Sequence, residues 1–214
     1  MRYGAGRKEA THQRVLGVTA KAIRRGGVRS VSVAGVMSRA GLTHGGFYGH
    51  FRSKDALLGE AMDLMIDQVL AQYLRLTSGL QAEDALRAYV DHYLSPRHRD
   101  GAMLACPHPV IAAEVRHLGE APRMRFDQGL TALVHELTKH LRQLGFADPE
   151  DLAWSVMNEM IGAMSLASAL ADRERSNALL ERARRGIHGR LGLEDRDSRE
   201  PLAQPANDVR IEVG

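Results

Sequence analysis

Apolar residues recur at three- and four-residue intervals along most of the chain, and no stretch alternates apolar with polar residues as a half-buried strand would. Such spacing lays one apolar stripe on each helix, so the expected fold is all-α, made by packing stripe against stripe. Val15, Leu16, Thr19, Ala22 and Ile23 form the first stripe, from Thr11 to a stop at Gly26-Gly27. Ser32 offers an N-cap to a two-turn helix carrying Val33, Val36, Met37 and Ala40, after which Gly41 permits a tight turn. Thr43 and Ser53 each offer a capping hydroxyl, so the residues from Thr43 to Phe51 read as a short helix between two defined turns. At about 1.5 Å per residue that helix is roughly 12 Å long, comparable with the approximate width of a DNA major groove. A short helix, a glycine turn and a second short helix make a helix-turn-helix over Ser32 to Phe51, with the first helix behind it.

From Lys54 to about Leu74, Leu57, Leu58, Ala61, Met62, Met65, Val69 and Tyr73 hold a stripe long enough to join two domains. Met62 and Met65 are expected inside the second of them. Ala82 to Leu94 reads as a further helix, and Ser95 to Gly101 as a loop marked by Pro96 and Gly101. Pro109 opens a helix to about Leu118, closed by Gly119. Pro122 opens another, with Phe126, Leu130, Leu133, Val134, Leu137 and Leu141, ending near Gly145. Pro149 to about Ala171 and Ser176 to Arg190 complete the set. The expected organisation is a basic flexible arm over 1–10, a three-helix DNA-binding domain over 11–53, a larger helical domain over 54–191 for effector binding and dimerisation, and a disordered polar tail over 192–214.

Charge is segregated along this plan. Residues 1–55 carry 11 Lys and Arg against 2 acids, whereas residues 56–214 carry 18 against 24. A basic end suits a polyanion, because neutralised phosphates release condensed counterions. No apolar run approaches about 18 residues and the N-terminus lacks a signal-peptide pattern, so a cytoplasmic protein with no membrane partner is expected. The single cysteine, Cys106, cannot close an internal disulfide, and ten histidines without paired cysteines give no zinc pattern, so no metal is expected. His108 and His117 form no pair with a catalytic geometry in sight, and no nucleophile-base or paired-carboxylate arrangement stands out. Neither an enzyme nor a cofactor is expected.

Residues 9–69 resemble the DNA-binding domain of the TetR family of bacterial transcriptional regulators. The likeness rests on Val33, Val36, Ala40-Gly41-Leu42-Thr43, Gly45, Phe47-Tyr48, His50-Phe51, Ser53-Lys54 and Ala56-Leu57-Leu58 in order. Beyond residue 75 it is weaker, although Cys106-Pro107 leading into Ile111-Ala112-Ala113-Glu114-Val115 is similar to the corresponding helix of one subgroup. The resemblance implies a homodimer on palindromic double-stranded operator DNA, usually a repressor, that lets go when a small molecule enters the C-terminal domain. It places Thr43, His44 and Gly45 where the recognition helix meets base edges and sugar, and Tyr48, His50 and Lys54 where it grips phosphates. Their chemistry agrees, since a phenol, an imidazole and an ammonium all donate to phosphate oxygens. Ser32, at the N-cap of the second helix, completes the candidate DNA face. Many relatives carry Thr or Ser at the position of Gly46, so one hydroxyl contact is missing here. Gly45 and Gly46 let the backbone approach closely, which leaves Thr43 and His44 as the direct readers.

Aromatic residues at helical spacing are core residues, so Phe47 and Phe51 are expected to mount this helix without touching DNA. Of the basic residues in helix one, Arg14, Lys21, Arg24 and Arg25 divide between solvated surface and steering charge. Seven of nine methionines follow residue 56, and flexible thioethers suit both core filling and a pocket for apolar ligands. The candidate ligand set is Met62, Met65, Met103, Cys106, Met124 and Phe126. A dimer through the last two helices, packed as a four-helix bundle, would use Trp154, Met157, Met160, Ile161, Met164, Leu180 and Ile187. Two other readings keep the DNA-binding domain: a repressor switched by oxidation of Cys106, or an architectural DNA-binding protein with no effector. A lone cysteine in an apolar stretch is more often an inert buried hydrophobe than a reactive thiol.

Overall fold

The computed structural model describes residues 2–101 and 106–193, and every regular element among them is helical. α1 (Arg2–Gly26), α2 (Val33–Arg39) and a 3-10 helix (His44–Gly49) come first, followed by α3 (Lys54–Thr77), α4 (Ala82–Tyr93) and α5 (Pro96–Asp100). α6 (His108–Val115), α7 (Glu120–Gln143), α8 (Pro149–Ala169) and α9 (Arg173–Leu191) complete the chain. Three expectations on the ends of elements change. The arm expected over 1–10 is helical from Arg2, because nothing before Gly26 breaks the ladder and Thr11 Oγ1 bonds back to Arg7 O at 2.8 Å. The loop expected at 95–101 contains α5, since Ser95 Oγ accepts from His98 N and Pro96 is preset for a first helical position. α9 starts at Arg173 because Asp172 caps it, accepting from Glu174 N and Arg175 N. Met103 and the tail beyond residue 193 lie outside the described residues.

Two apolar cores form. The first gathers Val15, Leu16, Ile23, Val36, Met37, Phe47, Phe51, Leu57, Leu58, Met62 and Met65, and is joined from α6 by Ile111 and Val115. The second lies among α3, α4, α7, α8 and α9 and includes Tyr73, Leu86, Tyr89, Tyr93, Leu137, Met157, Met160, Leu180 and Ile187. α3 is shared. Its first three turns bury Leu57, Leu58, Ala61, Met62 and Met65 against α1, and from Val69 onwards it belongs to the second core. Met62 and Met65 therefore sit in the first core and not inside the larger domain. A 24-residue helix at about 1.5 Å per residue is stiff enough to carry a displacement from one core to the other. No described helix is long and apolar enough to cross a membrane.

Candidate nucleic-acid interface

The candidate face is built from two turns and a tight helix. Ser32 Oγ accepts from Gly35 N at 3.1 Å and caps α2, while its own O–H remains available to an outside acceptor. α2 ends where Leu42 N reaches back to Met37 O at 2.9 Å across Gly41, which has φ of 71°. That left-handed residue closes the turn and is why glycine stands there. Arg14 of α1 donates to Ala40 O at 3.3 Å, supporting the same helix end from behind.

The segment after it is not the expected α-helix. His44–Gly49 is 3-10, and Thr43 makes no side-chain cap bond. Gly45, Gly46 and Gly49 supply neither helix propensity nor side-chain packing, so the backbone takes the tighter i→i+3 pattern, with Gly46 N on Thr43 O and His50 N on Phe47 O. At about 2.0 Å per residue, six residues still span about 12 Å. Phe47 and Phe51 are each 2% exposed and stack at 5.6 Å, so they anchor the segment in the first core. Thr43, His44, Gly45, Gly46 and Tyr48 all face solvent. Tyr48 is 74% exposed, its ring edge-on to Phe47 at 5.2 Å. A large aromatic left in water is open to an outside partner.

His50 is half-buried, and its Nδ1 has lost solvent without gaining a partner among the described residues. Lys54 is the first residue of α3, which Ser53 caps by accepting from Ala56 N at 3.0 Å. An ammonium there opposes the helix dipole and, being exposed, is open to an anion outside the protein. Thus Thr43, His44, Gly45, Gly46, Tyr48, His50 and Lys54 fall on one continuous edge, with Ser32 at the head of the neighbouring helix.

The sequence reading missed the support behind this edge. His12 of α1 stacks on Phe51 at 4.5 Å and meets Glu60 of α3 at 2.6 Å, tying α1, the 3-10 helix and α3 together. The signal was available: His12 continues the helical face of Leu16, Thr19 and Ile23. Missed too was Glu114 of α6, whose Oε2 accepts from Val28 N at 2.5 Å in the loop between α1 and α2. Gly27, with φ of 72°, gives it room; a Cβ there would stand 2.6 Å from the same oxygen.

The candidate ligand residues other than Met103, which lies outside the described residues, do not come together. Met62 and Met65 fill the first core, Cys106 the second, and Phe126 packs partly on the first, while Met124 is 50% exposed on a groove with Arg123 and Asp127. Residues chosen for softness alone were separated because α3 feeds two cores. Cys106 is 2% exposed, and burial pushes its thiol up to about 11, so the reactive thiolate is scarce near neutral pH. The expected dimer set also divides. Met157, Met160, Met164, Leu180 and Ile187 are buried in the chain's own core, because the apolar stripes of α8 and α9 face α7 and each other. Trp154 and Ile161 are only partly covered, and Leu166 on the outer side of α8 is 61% exposed.

Residues 15–61 match the family model described as bacterial regulatory proteins, tetR family. No curated protein matches the chain. Among solved structures, a TetR-family transcriptional regulator from Agrobacterium tumefaciens is 22% identical, with a TM-score of 0.75 over 86% of this chain and 98% of that one. The reduced form of NemR from E. coli is 21% identical with a TM-score of 0.74, covering 84% and 96% of the two chains. A TetR regulator from Chloroflexus aurantiacus is 22% identical, with a TM-score of 0.73 over 90% and 97%. At these identities the likeness is one of fold, and it extends through both cores.

Proposed function

We infer, from the match of residues 15–61 to the tetR family of bacterial regulatory proteins and from the shared fold, that this chain is a homodimeric repressor which releases its operator when a small molecule binds the larger helical domain. Its family is one of regulatory proteins that bind DNA and not of enzymes. The observation that carries the reading is the edge from Thr43 to Lys54, exposed donors on a glycine-lined segment that two buried phenylalanines hold in place. Tyr48, His50 and Lys54 position the protein on phosphates, and Thr43 and His44 read base edges. Release follows from α3: a ligand in the second core favours one position of that helix, and Lys54 at its far end leaves its phosphate. Burial of Cys106 favours a ligand over thiol oxidation as the signal.

The test is a gel-shift on the DNA upstream of the protein's own gene. Tyr48→Phe should weaken binding by a similar factor on all sequences, whereas His44→Ala should relax discrimination at particular base pairs. Retention of wild-type affinity and specificity by both variants would remove this edge from the interface.

A further inference from the structure

Tyr73 of α3 and Tyr89 and Tyr93 of α4 form a row through the second core, with ring centroids 4.6 Å apart for the first pair and 5.9 Å for the second. They are 1%, 3% and 1% exposed, and among the described residues none of their three hydroxyls meets a hydrogen-bond partner at bonding geometry, the Tyr93 hydroxyl lying against the Cys106 thiol. Buried polar groups in folded proteins are nearly always paired, so three unpaired hydroxyls side by side call for an explanation. A core shaped for stability alone would place phenylalanine at these positions.

At its far end Tyr93 stacks on His98 at 4.9 Å and lies against Cys106. The Cys106 backbone N–H donates to His98 Nε2 at 3.2 Å. His108 Nε2 lies 3.4 Å from Phe126 O and donates to it, leaving Nδ1 to accept from the Cys106 thiol at 3.2 Å. Burial holds both imidazoles down at about 4 and the thiol up at about 11, so these groups are uncharged near neutral pH. The Arg24 guanidinium approaches from α1 but is engaged, donating to Gln68 Oε1 at 2.9 Å. Beside Tyr73 lie the His140 ring at 6.1 Å and the Glu136 carboxylate, which Lys139 engages at 2.6 Å, so among the described residues the row offers aromatic faces and O–H donors with its nearby charges paired.

We propose that Tyr73, Tyr89 and Tyr93 form the recognition wall for the effector, a small uncharged aromatic molecule whose oxygen atoms accept hydrogen bonds from the three hydroxyls. The proposal rests on the effector-responsive reading above. Because the Tyr73 and Tyr89 rings touch, a ligand enters by parting α4 from α3, which moves the helix that starts at Lys54. An internal water molecule would satisfy the same hydroxyls, and the experiment separates the two.

The full chain is titrated with p-cresol, 4-hydroxybenzaldehyde and toluene by calorimetry and thermal shift. The two oxygen-bearing probes should raise Tm and bind at least about tenfold tighter than toluene, one or two hydrogen bonds being worth about that factor. Tyr89→Phe should weaken them about threefold to tenfold while leaving the unliganded Tm unchanged or higher, since deleting an unpaired hydroxyl costs nothing. The proposal is overturned by the absence of binding, by equal binding of toluene, or by a fall in unliganded Tm in the tyrosine variants, which would mark hydroxyls bonded to water. Operator release is followed separately by fluorescence anisotropy. Tyrosine-dependent binding without release would uphold the site and refute the repressor mechanism.

Discussion

The glycines of the candidate edge have open space where a side chain would stand. A Cβ at Gly45 or Gly49 would meet nothing within 4 Å, and at Gly46 it would meet only Met37 Cε at 3.7 Å and Thr43 Oγ1 at 3.8 Å. Gly46→Thr should therefore fold with a stability change within about 0.5 kcal/mol and, by adding a donor toward phosphate, tighten operator binding by up to about tenfold in anisotropy titrations. A loss of affinity would show that the bare backbone itself contacts DNA. His98 and His108 set a second residue-level expectation. Burial depresses both to about 4, below the ordinary 6.5, so the unfolded chain binds more protons between those values. The stability they contribute is complete above about pH 6.5 and is lost as pH falls through about 4, on the order of 3 kcal/mol for each. Urea denaturation at pH 7 and pH 4.5 should show this loss, reduced in His108→Gln. The burial of Phe47 and Phe51 was legible from spacing alone, but these depressed histidines were not, since nothing local in the sequence says which imidazole the fold will enclose.

Element boundaries were legible wherever a cap or breaker acts locally: Ser32, Ser53, Gly41 and Pro149 each do what their chemistry dictates. What failed depends on contacts distant in sequence. The Glu114 carboxylate and the Val28 N–H are 86 positions apart, and no local pattern pairs them. Yet that bond is a direct polar link from α6 to the loop that seats α2, and α6 also carries His108 beside Cys106. Glu114→Ala leaves the Val28 N–H without its acceptor and should cost about 1–3 kcal/mol in chemical denaturation. Because the link joins α6 to the helices of the candidate interface, the same variant should bind operator more weakly than wild type. Unchanged stability and affinity together would reduce the contact to an incidental surface bond.

At the scale of the whole molecule, the division into two cores decides what can lie between two copies. Helical periodicity locates apolar stripes on α8 and α9 but does not say whether a stripe faces its own chain or a partner. Met160 and Met164 face inward, at 0% and 4% exposure, whereas Leu166 is 61% exposed. From Trp154 to Ala169 the only charged residue is Glu159, and Arg190 bonds it at 2.7 Å, so α8 carries no unpaired charge over several turns. Two such faces related by a two-fold axis, with α9 alongside, would make the expected four-helix interface and set two recognition edges about 34–36 Å apart on a palindrome. Leu166→Glu should then yield a folded monomer by light scattering at micromolar concentration, with wild-type helicity and operator affinity reduced by well over tenfold. Met160→Ala should do the reverse, losing about 2–5 kcal/mol of stability from its cavity while the surviving folded protein stays dimeric. A dimeric Leu166→Glu would move the interface off α8, since a carboxylate enclosed at the centre of a packed apolar surface carries a large desolvation cost.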